Sequence, residues 1–369
     1  MATPVTLFLA GDVMTGRGVD QILSHPSAPE LHEPFVNDAR EYVRLAEGRS
    51  GAVPRRVDPG YIWGDALAEW ERVAPAVRIV NLETSITRSN QYDRGKSIHY
   101  RMHPDNIACV TAARLDVCVL ANNHVLDYGR DGLSETRQTL EYAGVTTLGA
   151  GRNHDEAARP VIHGLPGGEH LVISACAHAS SGVPDGWGAL TQEPGVYLLP
   201  DLSDQTAAAV TAGVAEGKPA GSIAVVSIHW GDNWGYDVPR RHIGFAHRLV
   251  DGGVDIVYGH SSHHVRPIEV YHEKLILYGC GDFVDDYEGI SGYEQYRDDL
   301  VLMFFPSLDP ASGRLVRLRL TLLQIRKLRL NRVSAEDARW MCDTLNRINR
   351  PFGARTDMMP DGTLILVSP

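Results

Sequence analysis

Short apolar runs recur along the chain, each ended by a Gly, Asn or Asp cluster and several followed by a helical pattern. Residues 5–10, 77–82, 117–121, 171–175, 223–229, 254–258, 275–278 and 300–305 have the length and mostly apolar character of buried strands. Residues 132–143 and 241–252 carry the period of helices, and the alternation predicts an α/β fold with parallel strand pairs. Runs 275–278, 300–305 and 314–326 follow one another without helices, which predicts an antiparallel or mixed second sheet. Residues 26–64 show weak periodicity, many charges and several prolines, the pattern of an insertion or lid near the end of the first strand. Residues 184–200 and 306–313 read as loops. The expected division is one domain over 1–330, with 331–369 as a helix (334–349) and an extended tail packed on it.

Composition narrows this picture. With 43% hydrophobic and 22% charged residues the chain is an ordinary globular protein, and no run approaches the roughly 20 apolar residues of a membrane-spanning helix. Met1-Ala2-Thr3-Pro4 leads into the first apolar run without a basic segment or cleavage site, so a buried strand is expected rather than a signal peptide, in a soluble cytoplasmic protein. The five cysteines are odd in number, scattered and mostly set in apolar runs, as reduced core thiols are. A net charge of −11 argues against nucleic acid held by its phosphates, yet bound divalent cations can counter it. Sixteen histidines, several in clusters, are the first sign of metal.

The polar clusters fall at strand C-terminal ends, where ligands collect in open α/β sheets. In Gly11-Asp12-Val13-Met14-Thr15-Gly16-Arg17, Asp12 can hold a cation and Arg17 can face an anionic oxygen; the alternative is an Asx turn with a surface arginine. Asn81 and Glu83 share one face of a strand, so Glu83 can bridge metals while Asn81 positions it or the substrate; a helix cap is the alternative. In Asn122-Asn123-His124-Val125-Leu126-Asp127, an amide oxygen can bind metal, His124 can protonate a leaving group or stabilise an oxyanion, and Asp127 can orient His124. His229-Trp230-Gly231-Asp232 and Gly259-His260-Ser261-Ser262-His263-His264 bring imidazoles to adjacent strand ends, as Zn, Mn or Fe requires; His260 and His263 are favoured over His264.

As an ordered set over roughly residues 5–290, these motifs resemble the CapA-type proteins of bacterial capsule and poly-γ-glutamate synthesis, a divergent branch of the calcineurin-like metallophosphoesterases. Gly149-Ala150-Gly151-Arg152-Asn153 and Leu277-Tyr278-Gly279-Cys280-Gly281-Asp282-Phe283 share the resemblance, although Asp282 stands where many members have Asn. The resemblance implies a four-layer αββα sandwich with two mixed sheets and one or two divalent ions per chain. Asp12 and His263 would hold the first metal, Glu83 would bridge, Asn123, His229 and His260 would hold the second, and His124 would serve as acid or oxyanion stabiliser. A metal-bound hydroxide would then hydrolyse a phosphoester. Two departures matter: Met14 replaces the usual histidine of the first motif and Glu83 the usual aspartate, so the first site is weak, differently built or empty, with His99 or His103 as possible substitute donors.

For an anionic substrate, Lys96, His99, Tyr100 and Arg101 read as a polar wall, joined by Asn81 and Asn122. Arg240, Arg241 and His242 are either a phosphate or carboxylate clamp or solvated helix-start residues. Trp230 and Trp234 either roof the pocket or pack under a loop, and Asp285, Asp286 and Glu288 read as a solvated acidic turn. The expected partner is a small phosphate- or carboxylate-bearing compound, with neither nucleic acid nor membrane. The rival functions are cleavage or transfer at a γ-glutamyl amide and a non-catalytic, anion-binding accessory role in polymer synthesis.

Overall fold

The structure is a computed structural model that describes residues 3–219 and 221–367; Met1 and Ala2 of the expected strand approach, and the last two residues of the expected tail, lie outside it. The chain forms two large mixed sheets with helices against them. In the first sheet, Val5–Val13 lies centrally, parallel to Val77–Leu82, which continues through Val117–Val119 to Thr146–Leu148. On its other side Leu300–Leu308 pairs antiparallel, followed by Leu315–Ile325, Leu364–Val367 and Arg355–Met358. The second sheet runs Leu198–Leu199, His170–His178, Ile223–His229, Ile256–His260 and Lys274–Leu277 in parallel, and ends with antiparallel Ile268–Tyr271.

Three expectations are corrected here. The runs at 275–278, 300–305 and 314–326 do not share a sheet: the first stays in the second sheet, while the others cross to the first and zip onto Val5–Val13. Adjacency in sequence could not reveal this, because the crossing is made by the short strand Asp282–Val284, which pairs parallel to Val5–Val13. The final segment is more than a helix and tail, since two strands after helix Ala335–Ile348 extend the first sheet. The expected loop from 306 begins later, because the strand runs on to Leu308 with Pro306 opposite Leu318.

Alternation along Ile223–His229 decides where the chemistry lies. Ile223 and Val225 join the large apolar core shared with Leu7, Leu9, Ile256 and Tyr258 of the two sheets, while Ala224, Val226 and Ile228 pack with Phe245 and Leu249 of helix Arg240–Asp251. The period of two therefore turns Ser227 and His229 toward the first sheet and Trp230 toward the helices. Tyr258 ties the sheets together by donating its hydroxyl to Ala10 O. The first sheet also packs Phe8 edge-on against Trp70 of helix Ala66–Val73, ring centres 5.1 Å apart. Within residues 26–64 the chain forms helix Arg40–Ser50, which contacts helix Arg17–Ile22. All five cysteines are free thiols. Among the described residues no helix is long and apolar enough to cross a membrane.

Candidate metal centre

Register brings the acidic and imidazole groups together at the strand ends. Asp12 sits opposite Asn81 on one side and Asp282 on the other, and His229 opposite His260. The backbone at Gly281 approaches so closely that a Cβ on Gly11 would stand 1.7 Å from its carbonyl oxygen, and Asp12 N donates to the same oxygen at 2.9 Å. Glycine at position 11 is thus what lets Asp282 lie beside Asp12. Ser261, held at φ 111°, donates its backbone N–H to Asp12 Oδ2 at 3.1 Å, a strained conformation spent on fixing this carboxylate.

Two sets of three side chains converge, and both include Asp12. Asp12, His229 and His260 offer one ligand atom each within 4.8 Å of one another, as do Asp12, His263 and Asp282. His260 Nε2 lies 2.7 Å from Ser227 Oγ, and His229 Nε2 lies 3.0 Å from Asn123 Oδ1. When each Nε2–H donates to that oxygen, both Nδ1 atoms carry lone pairs, and these stand 2.8 Å apart. Asp12 Oδ1 is 3.8 Å from His260 Nδ1, and Glu83 Oε2 is 3.9 Å from His229 Nδ1. Two imidazole lone pairs and two carboxylates gathered in one buried region are a donor set that fits a divalent ion. Asn123 Oδ1 faces Nε2 of His229, whereas His260 faces Nδ1 of the same ring.

Burial sets the ionisation. It pushes Asp12 up to about 6, offset in part by the Asn81 hydrogen bond, and raises Glu83 and Asp282 further, each aggravated by Asp12. Burial also lowers His260 to about 3, His263 to about 4 and His229 well below the usual value. Neutral imidazoles with free lone pairs are the form that binds metal.

Beside these sets lies a relay. His124 Nδ1 is 2.6 Å from Asp127 Oδ2, and Lys96 Nζ donates to Asp127 Oδ1 at 2.6 Å. Tyr100 N donates to Asp127 Oδ2 at 2.7 Å, and the Tyr100 ring stands edge-on to His124. His124 Nε2 is left facing the centre, 3.9 Å from Glu83 Oε1. Burial holds His124 down at about 4 despite Asp127. Asn122 donates to Asn81 Oδ1 at 3.0 Å, and Asn81 Nδ2 in turn donates to Asp12 Oδ1 at 2.8 Å and to Glu83 Oε2 at 3.0 Å. The two asparagines therefore position carboxylates.

Several expected site residues lie elsewhere. Arg17 is buried between Glu33 and Asp286, with Tyr42 and Tyr100 against its guanidinium, so its charge is already matched. The same pair corrects the solvated acidic turn: Asp285 and Asp286 are both buried. His99 Nε2 bonds Asp93 O, and Arg101 donates to Ser89 O and Asn90 Oδ1, so both hold a loop in place. Trp230 does not roof the pocket; its indole stacks on His242 and donates to Tyr278 O at 3.1 Å. Arg240 and Arg241 are exposed at a helix start. His103 caps the turn at Asp105, and His264 stacks on Tyr296. Met14 Sδ is 3.9 Å from Tyr287 OH. Ser227, Ser261 and Tyr287 were missed: Ser227 alone had a readable signal, its place two residues before His229 on the same strand face.

Fold and site together define an α/β protein with a candidate dinuclear metal centre between two mixed sheets. The sequence model of the bacterial capsule synthesis protein PGA_cap matches residues 6–287, and the chain belongs to that family. It is 48% identical over 364 residues to a probable polyglutamine synthesis accessory protein of Mycobacterium tuberculosis, covering 98% of this chain and 96% of the relative. It is also 28% identical over 280 residues to the PGA biosynthesis protein CapA of Bacillus subtilis, covering 74% of this chain and 67% of that one.

Proposed function

We propose that the chain is a metal-dependent hydrolase that cleaves a phosphoester of a small anionic compound in the service of poly-γ-glutamate or capsule synthesis. The observation that carries this is the convergence of two ligand sets on Asp12 beside the His124–Asp127 pair. Asp12, His229, His260 and His263, with Glu83 alongside, would hold divalent ions (Mn, Fe or Zn), which would acidify bound water and offset phosphate charge. The chain's own residues do the rest. Asn81 fixes the two carboxylates. Asp127 takes the Nδ1 proton of His124 in a hydrogen bond and so turns Nε2 toward the reacting group, where it can exchange a proton with the leaving oxygen. Lys96 offsets the charge of Asp127. Two sheets with a shared core, flanked by helices, support the four-layer αββα reading of the calcineurin-like phosphoesterases. Five free thiols support a reducing, cytoplasmic setting.

The name of the mycobacterial relative favours a second reading, a non-catalytic accessory protein that only binds an anionic chain. Incubating protein loaded with each ion with p-nitrophenyl phosphate and with γ-glutamyl-p-nitroanilide separates the possibilities. The expected outcome is phosphoester turnover that falls about 10²–10⁴-fold in His124→Ala. Turnover of the γ-glutamyl compound alone moves the chemistry to an amide, and ion binding without turnover of either leaves the accessory role.

A further inference from the structure

Met14 offers no hard donor to an ion at Asp12, and the strand next to it does. Asp282 pairs in parallel register with Asp12, so both carboxylates leave the first sheet side by side. His263 Nδ1 stands 3.0 Å from Asp282 Oδ1, and the three residues have one ligand atom each within 4.8 Å of the others. Two ligand atoms each about 2.1 Å from one octahedral ion and at right angles to each other lie about 3.0 Å apart, so this spacing suits cis ligands as well as it suits a hydrogen bond. The other oxygen, Asp282 Oδ2, meets no N–H or O–H donor among the described residues although the residue is only 1% exposed; its side-chain neighbour there is Asp285, a second buried carboxylate whose Oδ2 is likewise without a donor. An unpaired buried carboxylate oxygen is costly unless something positive meets it. Arg17 is engaged by Glu33 and Asp286, and Lys96 by Asp127.

We propose that Asp282, with Asp12 and His263, completes a second, oxygen-rich cation subsite that takes a hard divalent ion of the Mn²⁺ type. Two carboxylates and one imidazole favour such an ion over the softer surroundings preferred by Zn²⁺, whereas the His229–His260 side of Asp12 offers two imidazoles. The centre is thus asymmetric, one half nitrogen-rich and the other oxygen-rich, with Asp12 common to both. This inference rests on the metal-dependent reading above and names a ligand which that reading lacks.

The test is Mn²⁺ titration of the purified full-length chain by calorimetry, with bound Mn²⁺ counted by electron paramagnetic resonance. The unaltered protein should take two ions. Asp282→Asn, close to isosteric, should take one, or bind the second at least 10-fold more weakly, while His229→Ala should lose the other. If Asp282→Asn fails to fold by circular dichroism, His263→Gln removes a second member of the same set and should give the same loss. Two ions held with unchanged affinity in whichever of these folds would overturn the assignment of Asp282 and leave the metal-dependent reading standing. An unaltered chain that binds no Mn²⁺, Fe²⁺ or Zn²⁺ would sink both.

Discussion

Ser227 belongs to no motif, yet its hydroxyl lies 2.7 Å from His260 Nε2 and decides which nitrogen of that ring faces the centre. Groups that orient a ligand in this way typically contribute 10–100-fold in metal affinity. Ser227→Ala should therefore weaken ion binding by about that factor in calorimetry with little change in melting temperature; unchanged affinity would mean that His260 is held by packing alone. The ligand candidates themselves were legible, because a polar side chain ending a buried apolar run has few structural reasons to be there. Arg17 was not: its partners Glu33 and Asp286 are 16 and 269 residues away, and only folding shows that its charge is matched.

At the scale of elements, legibility followed contrast. Val77–Leu82 and Ile223–His229 coincide with their predicted runs, since short, mostly apolar runs ended by Asn-Leu-Glu or His-Trp-Gly leave little freedom. Helix Asp204–Ala215 was missed because its small alanines and threonines make no strong stripe, although Ser203 caps it by accepting from Thr206 N at 3.2 Å. Helix Ala335–Ile348 was found, and its start carries a comparable cap: Ser334 Oγ accepts from Asp337 N at 3.1 Å. Ser334→Ala should cost about 1 kcal/mol in urea unfolding. A cost near zero would show that the strands after the helix hold it without the cap.

Across the whole molecule, Glu69 joins distant parts of the chain. It sits on helix Ala66–Val73 with its side chain buried, accepts from Thr321 of strand Leu315–Ile325 at 2.6 Å, and pairs with Arg72 and Arg332. Burial alone would raise its carboxyl, but the arginine and threonine contacts win and lower it from 4.5 to about 2. A folded value below the unfolded one means stability that is complete above about pH 4.5 and lost as pH falls toward about 2. Glu69→Gln should cost about 1.5–3 kcal/mol at neutral pH and flatten the loss of stability between those pH values. An acid-unfolding curve parallel to that of the unaltered protein would exclude Glu69 as its source.

The sequence by itself determined the α/β class, the order of the main strands and the polar residues waiting at their ends, because periodicity and strand-end chemistry are local properties of a chain. Tertiary structure decided which sheet the late strands joined, that Arg17 is spoken for, that Trp230 turns away, and that Asp282 meets Asp12 and His263. Those outcomes depend on register between strands far apart in sequence, and on the burial that follows from it, and neither quantity is written in any one segment.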